Sequence, residues 1–146
     1  MPAGGVLISE SIANAFESQV FPGGLTYSGH PLACAAAVGA LEAMEREGTV
    51  GQARRTGEQL LGPGLEALAD EHRSVGDVRG LGVFWALELV ADRTTKEPLA
   101  PLGGSSPAMA EFGAECLAGG LLPFIAGHRL HVVPPCNVSG DEVAAG

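Results

Sequence analysis

Along the chain, short apolar runs alternate with stretches in which apolar residues recur every three or four positions. The run Gly4-Gly5-Val6-Leu7-Ile8-Ser9 has the continuous apolar character of a buried strand. A short helix is expected over Ser9 to Phe16, stopped by the Phe21-Pro22-Gly23-Gly24 turn. A longer helix of small residues follows from Pro31 to Glu47, with Val38, Leu41 and Met44 as its packing stripe and Gly48 as its C-terminal cap. Thr49 and Gln52 have the spacing of a capping box, and Val50, Ala53, Gly57, Leu60 and Leu68 carry helical periodicity onward. Gly62-Pro63-Gly64 should kink or break that helix, because proline lacks the amide donor and crowds the preceding turn.

From Val78 to Val90 the period shortens to two. Val83, Trp85, Leu87 and Leu89 fall on one strand face, and Phe84, Ala86 and Val90 share the other with Glu88. A strand apolar on both faces predicts cover on both sides. Ala91 to Gly104 reads as a polar, Pro/Gly-rich loop, and Ser106-Pro107 opens a further helix to about Leu117. Short strands are expected at Leu121 to Phe124 and Arg129 to Val133, the second stopped by Pro134-Pro135. Ser139 and Glu142 have capping-box spacing for a last helix. The fold class is therefore α/β, with helices interleaved among short strands. A strand at one end and a helix start at the other predict a fragment of a larger protein.

Composition narrows the function. The 146 residues include 8 basic and 17 acidic side chains, a net charge of −9, which argues against nucleic acid or an anionic membrane surface as the main partner. No apolar run approaches a membrane span, and Met1-Pro2-Ala3-Gly4-Gly5 lacks the basic start of a signal peptide. The scattered Cys34, Cys116 and Cys136 suit neither a disulfide framework nor a zinc site, and together these features predict a reducing, cytoplasmic setting. Cys34 reads as a packing residue of its helix, and Trp85 as core. His128 and His131, three apart, fall on opposite faces of a strand and make no metal pair. Lys96 is the only lysine.

The stretch richest in chemistry is Gly24-Leu25-Thr26-Tyr27-Ser28-Gly29-His30-Pro31. It is a glycine-bearing loop with two hydroxyls that runs into a helix, whose free N–H groups and positive dipole end suit a phosphate or carboxylate. By composition alone the signal is weak, because most such loops simply cap a helix.

Thr26-Tyr27-Ser28-Gly29-His30-Pro31-Leu32-Ala33-Cys34-Ala35-Ala36 resembles the signature of the class III (omega) aminotransferases, fold type I enzymes that use pyridoxal 5′-phosphate (PLP). Three further segments resemble the family in order and spacing: Pro2 to Val6, Val78 to Gly82, and Arg129 to Pro135. The resemblance implies the C-terminal part of such an enzyme, with residues 1–48 the end of the large PLP-binding domain and its interdomain helix, and 49–146 a small domain truncated at its end. It implies a homodimer in which Thr26, helped by the backbone around Leu25, reaches the cofactor phosphate of the neighbouring subunit. The small-molecule partners implied are an amine or amino acid donor and a keto acid acceptor such as pyruvate. Arg129 becomes a candidate for the substrate carboxylate, with a solvent-facing edge-strand arginine as the plainer reading. Phe124 stands where some relatives carry a mobile carboxylate-binding arginine, and Arg79 is expected to brace the turn of the small domain.

The resemblance also places the catalytic lysine before Met1 and the carboxylate under the pyridine nitrogen further upstream. Transamination needs both. Lys96, in a hydrophilic loop beside Glu97, is not expected to substitute, so the chain is predicted inactive alone and poorly soluble where its apolar faces lack cover. Racemases and aminomutases share the fold and the threonine motif, and a non-catalytic remnant that dimerises through the Pro31–Glu47 helix is the reading outside enzymology.

Overall fold

A computed structural model describes residues 2–146. The chain divides into two compact units, one ending at Glu47 and the other spanning Gly48–Gly146. Every buried residue lies in the second.

In the first unit, α1 (Glu10–Ala15) starts after Ser9 in an extended conformation, and α2 (Pro31–Glu47) follows the span set by its proline and its terminal glycine. Neither helix contains a buried residue. Gly48 takes the left-handed conformation, φ 63°, expected of a helix-ending glycine. The strand expected at Gly4 to Ser9 is not formed. A strand needs a ladder partner for its backbone, none among the described residues pairs with it, and Val6 and Leu7 are fully exposed. Cys34 is exposed as well, so it is not the packing residue its alanine-rich surroundings suggest.

The second unit builds a five-stranded antiparallel sheet in the order β1-β2-β5-β4, with β3 pairing the far end of β2. Its strands are β1 (Val75–Leu81), β2 (Phe84–Asp92), β3 (Glu97–Pro98), β4 (Phe124–Ala126) and β5 (Arg129–Val132). The expected strand at Leu121 starts three residues later, because the turn through Gly127, at φ 64°, fixes the β4–β5 hairpin. The stretch from Ala91 to Gly104 is more than a loop. It holds β3, and Ala100 is 2% exposed in the core.

Helices α3 (Thr49–Thr56) and α4 (Gly62–Glu71) are joined by a π-helical turn, Gly57–Leu61. The capping box of Thr49 and Gln52 is absent. Gly48 is the N-cap, its carbonyl accepting the Gln52 amide at 3.0 Å, and Thr49 is already the first helical residue. At Gly62-Pro63-Gly64 the chain stays helical. Pro63 falls in the first turn of α4, and the preceding π turn absorbs the mismatch that a continuous α-helix would suffer.

That turn also determines the packing. Gly57 lies so close to the Gly82 carbonyl that a Cβ there would sit 2.0 Å from its oxygen, and a Cβ on Gly62 would meet the Trp85 ring at 2.9 Å. In an α-helix, residues five apart point about 140° away from each other. The π turn brings Gly57 and Gly62 against the same β1–β2 hairpin. Trp85 is held there by donating Nε1–H to the Gly82 carbonyl at 2.7 Å.

Cross-strand partners share a face, so register assigns the two sides of the sheet. One side carries Val78, Trp85, Leu87, Leu130 and Ile125, and packs with Leu65 and Ala69 of α4 and Met109 of α5 (Pro107–Ala118). The α5 N-cap is Ser106, whose Oγ accepts the Met109 amide at 3.2 Å. The other side carries Asp77, Arg79, Phe84, Ala86, Glu88, Arg129, His131 and Phe124. Cover on both sides, expected for β2, is thus only partial: Ala86 and Val90 are buried but Phe84 is 58% exposed. The last helix, α6 (Gly140–Ala145), has the complete capping box of Ser139 and Glu142.

Candidate functional site

The loop before α2 is shaped by two overlapping turns. The Ser28 amide donates to the Leu25 carbonyl at 2.9 Å, and the His30 amide to the Tyr27 carbonyl at 3.2 Å. Gly29 between them takes φ 69°, a conformation that side chains resist. The Tyr27 and His30 rings lie 5.5 Å apart and help fix the loop. Leu25 and Thr26 are adjacent on its exposed outer surface. Neither the hydroxyl nor the amide of Thr26 has an acceptor among the described residues. Both donors lie on the exposed surface of the loop.

Phe124 and Arg129 belong to the β4–β5 hairpin in the second unit and share the open face of the sheet. Phe124 is opposite His131, with ring centroids 5.2 Å apart and planes at 67°, and Phe84 approaches the same imidazole at 5.9 Å and 75°. These edge-on contacts are favourable aromatic geometry. Arg129 is half-buried, opposite Glu88 on β2.

Glu88 is not its ion-pair partner. The Arg79 guanidinium reaches across β1 and β2 to bond both Asp77 and Glu88. Arg79 thus holds the Glu88 carboxyl below the usual carboxylate range, chiefly by hydrogen bonding. Among the described residues no carboxylate lies within ion-pairing distance of Arg129. Arg79 braces this part of the small sheet by joining two strands. Sequence reasoning expected Arg79 to brace the turn of the small domain, not to join two strands through Asp77 and Glu88, and missed Phe84 and His131 as neighbours of Phe124. The alternation of β2 placed Phe84 on this face, but only the register joins it to His131.

Lys96 is the chain's one lysine. It adopts φ 60° in the tight turn between β2 and β3 and donates Nζ–H to the Gly76 carbonyl. The Asp92 carboxylate shapes that turn by accepting the Thr94 and Thr95 amides at 2.7 and 2.9 Å, which lowers its pKa. An amine tethered in a structural turn is not arranged as a nucleophile. On the helix side of the sheet, a groove of about 880 Å³ is lined mainly by apolar residues including Leu60, Leu65, Leu121 and Val143; His131 also lines it, whereas Leu25, Thr26, Phe124 and Arg129 do not. No group of three or more potential metal ligands clusters among the described residues.

The class-III aminotransferase family model matches residues 1–146, and the chain belongs to that family. It is 34% identical to an aminotransferase of Gibberella zeae and 33% identical to the mitochondrial gamma aminobutyrate transaminase 1 of Solanum lycopersicum, across 97% and 98% of its own length. It covers 29% and 28% of those proteins, so it spans less than a third of the curated relatives it matches.

Solved structures agree. An amine transaminase from an uncultivated Pseudomonas species in its PLP-bound form superposes with a TM-score of 0.81 at 35% identity, over 93% of this chain and 31% of that one. The taurine:2-oxoglutarate aminotransferase of Bifidobacterium kashiwanohense, in complex with PLP and glutamate, gives 0.83 at 30%, over 94% and 30%. The fold is that of part of a PLP-dependent transaminase, and PLP is the cofactor of the family. No helix among the described residues is long and apolar enough to cross a membrane.

Proposed function

We propose that this chain contributes the C-terminal part of a PLP-dependent transaminase that moves an amino group from an amine or amino acid to a keto acid such as pyruvate. The observation that supports this most directly is the family match over residues 1–146, together with the Leu25–His30 loop, whose Thr26 donors have no acceptor among the described residues. In this reading residues 1–48 complete the large domain and 49–146 form the small one. Two copies pair so that Thr26 of one donates its hydroxyl and amide to the phosphate of PLP held mainly by the other.

When bound, PLP supplies the electron sink that makes the substrate Cα–H acidic. The chain's own residues bind and orient. Thr26 and the Leu25 backbone fix the phosphate, Arg129 takes the substrate carboxylate, and Phe124 excludes water from the substrate's apolar side. Lys96 moves no proton, because its ammonium is committed to Gly76. The chain alone is therefore inactive. The three free cysteines fit a reducing, cytoplasmic setting.

Purified 1–146 incubated with PLP and borohydride should yield no stoichiometric lysine adduct and no amino transfer. A stoichiometric adduct at Lys96 that supports turnover overturns the inactivity. The genomic frame upstream tests the rest: a lysine a few codons before Met1, within a longer frame, supports the enzyme, whereas a stop codon there supports a non-catalytic dimerising module. In the longer frame, Thr26→Val should weaken PLP binding roughly tenfold, the worth of one hydrogen bond to a charged group. Unchanged affinity removes Thr26 from the site. Racemization or amino migration by that longer protein, without transfer to pyruvate, would place it with the other branches of the fold.

A further inference from the structure

We infer that Ser28, the second hydroxyl of the Gly24–Pro31 stretch, is a positioning residue: it clasps Leu25 and thereby fixes Thr26 at the corner of its turn. This rests on the reading that Thr26 reaches the phosphate of PLP, and names a residue that acts through Thr26 without touching the cofactor.

Three observations carry it. The turn from Leu25 to Ser28 is closed by two bonds running in opposite directions. The Ser28 amide donates to the Leu25 carbonyl at 2.9 Å, and the Leu25 amide donates to Ser28 Oγ at 3.4 Å. Thr26 occupies the first corner of that turn, and its amide and hydroxyl have no acceptor among the described residues. Ser28 also belongs to the next turn, in which the His30 amide donates to the Tyr27 carbonyl at 3.2 Å and Gly29 takes φ 69°. One side chain therefore ties the corner that carries Thr26 to the entry of α2.

A turn closed by its main-chain bond alone leaves the amide of its first residue free, and many turns lack even that bond. The Ser28 hydroxyl gives the Leu25 amide an acceptor and adds a second closure. It holds Thr26 in one backbone conformation before any ligand arrives, so less ordering has to accompany binding. The loop is exposed and water competes for the same bond, so the gain is a few-fold and not orders of magnitude. It falls on ligands that use Thr26 and not on those that lack a phosphate.

The test is the affinity of the longer-frame apoprotein for PLP and for pyridoxal, which has no phosphate, measured by equilibrium dialysis in a double-mutant cycle. Ser28→Ala should weaken PLP about three- to fivefold, the worth of one neutral hydrogen bond, and leave pyridoxal within about twofold. Ser28→Thr keeps the hydroxyl and should bind PLP as the unsubstituted protein does. Beside Thr26→Val, Ser28→Ala should weaken PLP by less than about twofold, because the hydroxyl it orients is gone and only the amide remains. The side chain is at the surface, and an unchanged far-UV circular dichroism spectrum verifies folding. Equal weakening of PLP and pyridoxal by Ser28→Ala, or an undiminished effect beside Thr26→Val, makes Ser28 a merely structural residue and overturns the inference. A loss of PLP affinity with Thr26→Val but none with Ser28→Ala overturns Ser28 alone and leaves the phosphate reading standing. No loss with Thr26→Val, or a stop codon upstream, overturns that reading and the role of Ser28 with it.

Discussion

At the residue scale, two glycines of similar local sequence have opposite sensitivities. Gly57→Ala would drive a Cβ into the Gly82 backbone and should destabilise the 48–146 unit by more than about 2 kcal/mol in urea unfolding. Gly64→Ala, in α4 with nothing within 4 Å of its Cβ, should instead stabilise by about 0.5–1 kcal/mol, since alanine loses less backbone entropy in a helix. Glu88 introduces a pH dependence. Its folded pKa lies below the unfolded value, so its contribution is present above the unfolded pKa and is lost as pH falls through the folded one. Arg79→Met should remove that contribution, making unfolding free energy flatter with pH below about 4.5, the usual carboxylate range. The pair is half-exposed, and the loss near neutral pH should stay at or below about 1 kcal/mol. Thr26, Leu25, Phe124 and Arg129 are candidates that only the family resemblance singles out. The resemblance does not name the partners that define the environment of Arg129. Whether Glu88 serves Arg79 or Arg129 depends on a cross-strand register that no local pattern encodes.

At the scale of elements, helices with an explicit start or stop were legible: Pro31 and Gly48 bound α2, Ser106 caps α5, and Ser139 with Glu142 caps α6. Ser106→Ala should cost about 1 kcal/mol, read from the thermal transition, because it strips the acceptor from the amide of core residue Met109. Elements that depend on remote partners were not legible. Gly4 to Ser9 has the composition of a strand, but composition supplies no ladder. Two-residue β3 is too short to leave any periodicity and exists because Val90 and Asp92 present a free edge to it. At Gly62-Pro63-Gly64 the proline signals an irregularity correctly. Its resolution as a π turn depends on the fit of Gly57 and Gly62 to the hairpin opposite.

At the scale of the molecule, the two units differ in what holds them. Residues 48–146 contain every buried residue and should unfold cooperatively when expressed alone. Residues 2–47 should show no cooperative transition by calorimetry, because α1 and α2 bury nothing within the chain. The exposed Val6, Leu7, Leu25, Leu32 and Leu41 should make the whole chain associate more readily than 48–146, which sedimentation of the two at equal concentration will reveal.

The π turn at Gly57–Leu61 also constrains how this stretch can change length. A π turn is an α-helix carrying one extra residue in a widened turn, so deleting a single residue there would restore regular helix with its flanks nearly in place, whereas the same deletion in the regular part of α4 would rotate everything after it by about 100°. A deletion early in α4 would therefore swing Leu65 and Ala69 off the sheet, although no core side chain had been altered. Insertions and deletions should therefore be tolerated in the exposed turn at Leu102–Gly103 and selected against in α4 between Gly62 and Ala69. The length of this segment is as much a part of the fold's specification as the identity of its residues.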